Sequence, residues 1–352
     1  MADRERPFEL NWISKYRDEL LGIAILSIMV FHFTECNMRF GGHPTGAALV
    51  FIRYYYRYIG SVGVELFVFL SGMGLYYSFS KNNDLRRFYK RRFQRILIPY
   101  IITGGLYWLF MDIIIYHNGF LRWLEDVTFI SFLLEGVNNF WFIIFIAFMY
   151  LLFPLLYRAI CTGRGQAAWF ILILAVSVAI PILVYEYAHE VYKHLNIAIT
   201  RAPIFIIGMS AGEFIRRGVR FSGAAAAAMI FAGFLIRYWA VVSDAGGYLG
   251  RYSASVFSLA VLLLCAWLLH LIRRAKPVRI VLRFFGRHSL ELYLLHVAMW
   301  GVFGALGVVM YRASRFFTML GLAVILAPLL KWLTGRLSFR GQAPDSKTDQ
   351  DR

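Results

Sequence analysis

Apolar runs of about twenty residues recur along this 352-residue chain and constrain its fold more than any other feature. A helix needs roughly 20 mainly apolar residues to cross a bilayer, and inside lipid it must satisfy its own backbone polar groups. The sequence therefore predicts an all-α, polytopic membrane protein with about ten transmembrane helices. Runs of this length lie near 20–38, 58–79, 96–116, 139–157, 167–187, 197–215, 222–242, 252–272, 288–309 and 314–334.

Composition supports this interpretation, since the chain is 60% hydrophobic and its mean hydropathy is +0.61. A soluble globular domain does not have that balance. The net charge of +17 fits either nucleic acid or anionic lipid. In a membrane protein, excess Lys and Arg mark loops facing anionic headgroups, which favours membrane lipids over nucleic acid. The three cysteines lie far apart and lack zinc-type spacing, so neither a metal site nor a disulfide framework is expected.

Lys and Arg concentrate in the loops on one side of the predicted bundle. By the positive-inside rule, this distribution predicts that both termini lie in the cytoplasm. Three regions follow: a cytoplasmic segment over 1–19, a transmembrane domain over 20–334 and a disordered cytoplasmic tail over 335–352. No cleavable signal peptide is expected before the first span.

Two ionisable residues lie inside the first two predicted spans. His32 and Glu65 are each about 10 Å below the predicted outer surface, counting 1.5 Å per residue. Ionisable groups inside a membrane usually have a function, and a carboxylate level with a histidine could orient it as a general base. The alternatives are a helix-end histidine bonded to a loop carbonyl and a structural ion pair at Glu65.

The loop after the second span holds seven cations between positions 81 and 95, including Arg91, Arg92 and Arg95. The planar fork of arginine matches phosphate oxygens, so a ligand with several phosphates is expected on the cytoplasmic side. Anionic lipid headgroups are the alternative.

Later spans carry fewer polar groups. Trp141 opens the fourth span, and Arg201 opens the sixth, where its side chain is expected to reach toward the interface. The ninth span carries Glu291 and His296, which are about 140° apart around the helix and so are not expected to form a dyad.

Several motifs, taken in order, resemble the acyltransferase-3 family of integral membrane O-acyltransferases. They are Gly-Ile-Ala before His32, Gly-Val-Glu-Leu-Phe-Val-Phe-Leu-Ser-Gly in the second span, Arg-Arg-Phe-Gln-Arg-Ile-Leu-Ile-Pro-Tyr, and a late Ser-Leu-Glu-Leu-Tyr-Leu-Leu-His. The resemblance covers residues 20 to about 332. It implies transfer of an acyl group, usually acetyl, from cytoplasmic acyl-CoA to a hydroxyl of a cell-surface glycan or lipid-linked sugar, in a bacterial inner membrane.

The resemblance also implies site residues, carried over by motif position. The expected catalytic residues are His32, Glu65, Glu291 and His296; the expected acyl-CoA contacts are Arg91, Arg92, Arg95, Arg17 and Ser71; the expected substrate contacts are Trp141 and Arg201; no metal is expected.

The chain departs from the family at one position. Members place an arginine eleven residues before the histidine, whereas this chain has Leu21 there. Arg17, one turn earlier, lies about 60° from the His32 stripe and could partly substitute. A transporter or flippase of a lipid-linked sugar or anionic solute remains an alternative, although no paired repeat is visible. A non-catalytic membrane scaffold is a third.

Overall fold

The computed structural model describes residues 8–40, 45–162, 164–308 and 312–339. The disordered tail was predicted over 335–352: residues 335–339 are helical instead, and the rest of the tail lies outside the described residues. Sixteen α-helices are described in these ranges: α1 Asn11–Lys15, α2 Arg17–Phe40, α3 Gly46–Tyr54, α4 Val62–Lys81, α5 Leu85–Trp108, α6 Phe120–Val127, α7 Ile130–Glu135, α8 Trp141–Tyr157, α9 Gln166–Tyr187, α10 His189–Ile199, α11 Ala202–Arg216, α12 Gly223–Val242, α13 Gly247–Leu271, α14 Lys276–Arg287, α15 Ser289–Ala305 and α16 Ala313–Phe339.

Short π-helical turns extend three of these helices. They are Tyr55–Ile59 between α3 and α4, Leu109–Ile115 after α5 and Arg158–Thr162 after α8. The strands β1 (Phe8–Glu9) and β2 (Arg220–Phe221) form one antiparallel pair that joins the N-terminal segment to the loop after α11.

Within the described ranges, nine helical segments are long and apolar enough to span a membrane. They correspond to nine of the ten predicted spans. The tenth, predicted over 288–309, is the 17-residue helix α15, which is about 26 Å long and so slightly shorter than a typical hydrocarbon core. The chain is thus an all-α, multi-pass membrane protein, as predicted.

The centre of the bundle is formed by α4, which packs tightly against both α2 and α11, while α9 and α12 expose most of their apolar surface. Small residues permit the close packing. A Cβ built at Gly72 would lie 2.3 Å from the Phe205 carbonyl oxygen, and one at Gly208 would lie 2.2 Å from that of Phe69. Only glycine fits at these two positions, and small residues allow the same close approach between helices in membranes generally. The contact fixes α4 relative to α11 and thereby the polar groups that they carry.

The start of α2 is held by α14, an amphipathic helix rich in arginine. Glu19 is 1% exposed and accepts hydrogen bonds from Arg279 and Arg283 at 3.0 and 2.9 Å. A Cβ at Gly286 would lie 1.8 Å from the Asp18 carbonyl oxygen, so the two helices touch backbone to backbone. These contacts anchor α2, the helix that carries His32.

Candidate active site

A cavity of about 770 Å³ runs through the bundle beside α2. Arg17 and Arg39 both line it, and at 1.5 Å per residue they lie about 33 Å apart along the helix axis. That distance matches the thickness of a bilayer core. The end lined by Arg17, Arg92 and Arg95 is called here the Arg92 end. The opposite end, lined by Arg39, Tyr56, Arg237, Gly246 and Arg251, is called the Arg251 end.

Three arginines converge at the Arg92 end. Arg92 and Arg95 are three residues apart on α5 and therefore share a face. The helix begins where Asp84 caps it by accepting a 2.8 Å hydrogen bond from the backbone N–H of Arg87. Arg17 lies close enough to Arg92 and Arg95 for mutual repulsion. Guanidinium groups concentrated in this way suit an anion with several oxygens.

Two further residues predicted for acyl-CoA lie nearby. Ser71 lines the same cavity. The Arg17 guanidinium packs against Gly74, where a Cβ would lie only 3.1 Å from a guanidinium nitrogen. Arg91 does not line the main cavity. It lies in an adjoining depression of about 230 Å³, whose wall also contains Arg92 and Arg95. The two hollows are therefore joined by a shared pair of arginines.

His32 lines the cavity closer to Arg39 than to Arg17, together with its own carboxylate partner. Its Nδ1 is 3.3 Å from Glu35 Oε2, and Glu35 Oε1 is 2.9 Å from an Arg39 nitrogen. The three residues follow i, i+3, i+7 spacing and so share one face of α2. Because a carboxylate only accepts hydrogen bonds, the contact assigns the ring proton to Nδ1 and leaves Nε2 as the acceptor.

The predicted pairing of Glu65 with His32 is wrong. Glu65 Oε1 is 3.3 Å from Arg201 Nε, and both side chains are 3% exposed. The two groups were matched in depth, but α4 is turned so that Val64, Phe67 and Ser71 face the cavity. Glu65 is 100° further round from Val64 and does not line the cavity.

The expectation that Arg201 reaches toward the interface is also wrong. Its guanidinium is buried, donates to the Ile197 carbonyl and lies 4.9 Å from the centre of the Trp141 ring. Arg201 and Trp141 both line the cavity, so the structure brings these two predicted substrate contacts together. Glu65 does not line the cavity but holds the Arg201 guanidinium in place through their ion pair.

A second histidine faces His32 across the cavity. The ring centres of His32 and His296 are 5.3 Å apart, and that of Trp300 is 6.0 Å from His32. His296 Nδ1 lies 2.9 Å from the Leu292 carbonyl oxygen and must donate to it, so Nε2 is the acceptor nitrogen. In the part of the chain that the structure describes, this Nε2 is buried without a hydrogen-bond partner. Glu291 is buried too but does not line the cavity, in keeping with its different helix face.

The rim near Asn138 and Asn139 is held by the preceding short helices. Arg122 on α6 contacts Asp126 at 3.1 Å and reaches Glu135, the last residue of α7, at 2.8 Å. The hydrogen bond from Arg122 lowers the pKa of the Glu135 carboxyl. The segment that leads into α8 is thereby fixed beside the cavity.

Sequence reasoning missed four charged residues that line the cavity: Glu35, Arg39, Arg237 and Arg251. The i, i+3 spacing from His32 could have identified Glu35. No local signal joins Arg237 and Arg251 to His32, since they come from distant helices. Among the described residues, no group of three or more His, Cys, Asp or Glu side chains could hold a metal ion.

Comparison with known families gives one match. Residues 20–337, nearly the whole chain, match the acyltransferase-3 family model, which is described as an acyltransferase domain. No curated protein and no solved structure matches the chain significantly.

Proposed function

Because the chain belongs to the acyltransferase-3 family and crosses the membrane many times, we propose that it moves an acyl group, acetyl first among the candidates, from acyl-CoA to a hydroxyl of a glycan or lipid-linked sugar. Family membership favours an acyltransferase over the transporter alternative. In this proposal the Arg92 end faces the cytoplasm of a bacterium, and the Arg251 end opens on the outer side of its inner membrane.

One observation carries the proposal: a single cavity joins a cluster of arginines to a pair of histidines. Arg17 and His32 both line it and lie about 22 Å apart along α2. A donor with phosphates at one end, a long flexible arm and a thioester at the other fits this arrangement. Acyl-CoA has all three parts.

The arginines would hold the nucleotide part of the donor. Arg92 and Arg95 form the wall between the two hollows and can contact the diphosphate. Arg91, in the smaller depression, suits the 3′-phosphate, and Arg17 extends the positive charge into the main cavity. This arrangement also gives Arg17 the position from which it can compensate for Leu21, which lines the cavity as an apolar residue. The pantetheine arm would then pass Ser71 on its way to His32.

His32 is the proposed general base. Its Nε2 takes the proton of the acceptor hydroxyl while that oxygen attacks the thioester carbonyl carbon. Collapse of the tetrahedral intermediate breaks the carbon–sulfur bond, and the thiolate of CoA leaves and takes the proton back from the imidazolium. Glu35, bonded to Nδ1, is a positioning residue that holds the ring and stabilises its charged form, as the acid does in a catalytic triad.

His296 is the second proposed catalytic residue. Because the attacking hydroxyl gives its single proton to His32, the Nε2 of His296 is available to accept a hydrogen bond from a second hydroxyl of the acceptor sugar, which would position the sugar beside His32. Trp141 and Arg201 would form the wall against which the acceptor sugar packs. In this scheme neither Glu65 nor Glu291 contacts a substrate. Glu65 holds Arg201 in place, and Glu291 is a buried residue of α15, the helix that carries His296.

A donor series tests the proposal on purified protein in nanodiscs. Acetyl-CoA should raise the unfolding temperature more than acetyl-dephospho-CoA, which lacks the 3′-phosphate, and S-acetylpantetheine should raise it least. Arg91→Gln should abolish the difference between the first two donors. The exposed Arg53, which does not line the cavity, provides the matched control as Arg53→Gln.

Transfer itself is measured with radiolabelled acetyl-CoA and envelope glycans as acceptors. Wild-type protein should label the glycan and release CoA in equal amounts, and His32→Ala should do neither above background. Equal stabilisation by all three donors, or full transfer by folded His32→Ala, would contradict the proposal.

A further inference from the structure

The Arg251 end of the cavity has an excess of positive charge. This end is lined by Arg39, Arg237 and Arg251, and Arg201 also lines the cavity, whereas Glu35 is the one carboxylate among the described residues that line it. Arg39 is paired with Glu35, and Arg201 is paired with Glu65. Among the described residues, Arg237 and Arg251 are thus left without a carboxylate in ion-pair contact.

Arg237 is satisfied by neutral groups. Its guanidinium donates to the carbonyl oxygens of Arg57, Tyr58 and Gly250 and to the Ser253 hydroxyl. It therefore keeps its full charge while few of its N–H groups remain available. Its position five residues before the end of α12 fixes that charge beside α13.

Arg251 has donors to spare. Its one side-chain hydrogen bond runs to Asn196 Oδ1 at 2.7 Å, so most of its five N–H groups have no partner among the described residues. It lies within electrostatic reach of Arg201 and Arg237, and also of Glu65, whose carboxylate is in ion-pair contact with Arg201. Within the described ranges, neither Arg237 nor Arg251 forms an ion pair with a carboxylate.

We propose that Arg251 binds an anionic group of the acceptor, a carboxylate or a phosphate, with Arg237 holding a second positive charge beside it. Uncompensated charge within membrane depth is costly, and a bound anion supplies the missing counterion. The free fork of Arg251 matches either group in a two-point contact. The inference rests on the proposed function in taking the bound molecule to be the acceptor, and it narrows that acceptor to an acidic saccharide or a sugar on a lipid phosphate.

Binding of three probes to the full chain in nanodiscs tests this without requiring any acyl transfer. The probes are a glucuronate-containing oligosaccharide, the same oligosaccharide with its carboxyls reduced to alcohols, and a neutral sugar linked to a prenyl phosphate. We expect one charged probe to bind at least tenfold more tightly than the reduced oligosaccharide, measured by the shift in unfolding temperature. Which charged probe binds distinguishes a carboxylate from a phosphate.

Variants locate the contact. Arg251→Gln should lose the tenfold preference, Arg251→Lys should keep part of it, and Arg53→Gln should keep all of it. If the Gln variant fails to fold, the Lys variant and the wild-type selectivity still decide. Equal binding of all three probes by wild type, or an unchanged preference in folded Arg251→Gln, would overturn the inference. The acetyl-CoA stabilisation described above is measured in parallel, so that loss of the donor site is distinguished from loss of the anion site.

Discussion

Replacing Glu35 by Gln should slow acyl transfer without unfolding the protein. The carboxylate oxygen lies 3.3 Å from His32 Nδ1, so its negative charge stabilises the imidazolium that forms as the base takes its proton. At this separation two unit charges interact by about 1.3 kcal/mol in water and about 5 kcal/mol at an effective dielectric constant of 20.

The surroundings select a value near the lower end of that range. The side chains of His32 and Glu35 are 30% and 21% exposed, so solvent screens their interaction. The positive charge of Arg39, 2.9 Å from Glu35, also partly compensates the negative charge of the carboxylate. A loss of about 1.5 to 2 kcal/mol is therefore expected, which corresponds to roughly a 10- to 30-fold decrease in kcat. The KM for acetyl-CoA should stay near its wild-type value, because Glu35 lies away from the arginines that would hold the donor.

The assay compares Glu35→Gln with His32→Ala and Glu65→Gln by initial rates of labelled acetyl transfer. His32→Ala removes the base itself and should cost about 10²- to 10⁴-fold. A wild-type kcat in Glu35→Gln together with a reduced kcat in Glu65→Gln, at equal amounts of folded protein, would refute the assignment of Glu35 as the partner of His32. It would restore the pairing that depth in the membrane alone had indicated.

Four further outcomes are expected. Arg92→Gln should raise the acetyl-CoA KM about 10- to 100-fold with little change in kcat, since one charged hydrogen bond to phosphate contributes about 1.5 to 3 kcal/mol; an unchanged KM in steady-state kinetics would count against the donor site. Glu65→Gln should lower the free energy of unfolding by about 3 to 5 kcal/mol, because it leaves Arg201 charged and buried without its partner. The free energy is measured by denaturant titration in detergent micelles, and the double variant Glu65→Gln with Arg201→Gln should recover part of the loss. The pKa of Glu135 is lowered, so its bond to Arg122 is fully present above the usual carboxyl pKa and is lost as pH falls through the lowered value. As the pH falls through that value, hydrogen exchange over 120–139 should become faster in the wild type but not in Glu135→Gln. Addition of EDTA should leave the rate of labelled transfer unchanged, whereas loss of activity that zinc restores would show a metal requirement.

The sequence by itself determined the membrane architecture. Nine of the ten apolar runs correspond to described helices long enough to cross a membrane, because hydrocarbon leaves the backbone no other way to satisfy its polar groups. The tenth run is the shorter apolar helix α15. The sequence also identified Arg91, Arg92 and Arg95 as a cationic cluster, because they lie within one short segment. Their common location in two joined hollows follows from helical spacing on α5, which is a local property.

Pairings between helices were decided by the tertiary structure alone. Counting residues places Glu65 and His32 at one depth, yet depth leaves the rotation of each helix free, and the Gly72 and Gly208 contacts turn α4 so that Glu65 meets Arg201. Arg251 is brought to the cavity in the same way, by the packing of α13 against helices far away in the chain. The periodicity of one helix fixes which residues share its face, but only packing against its neighbours decides what that face contacts.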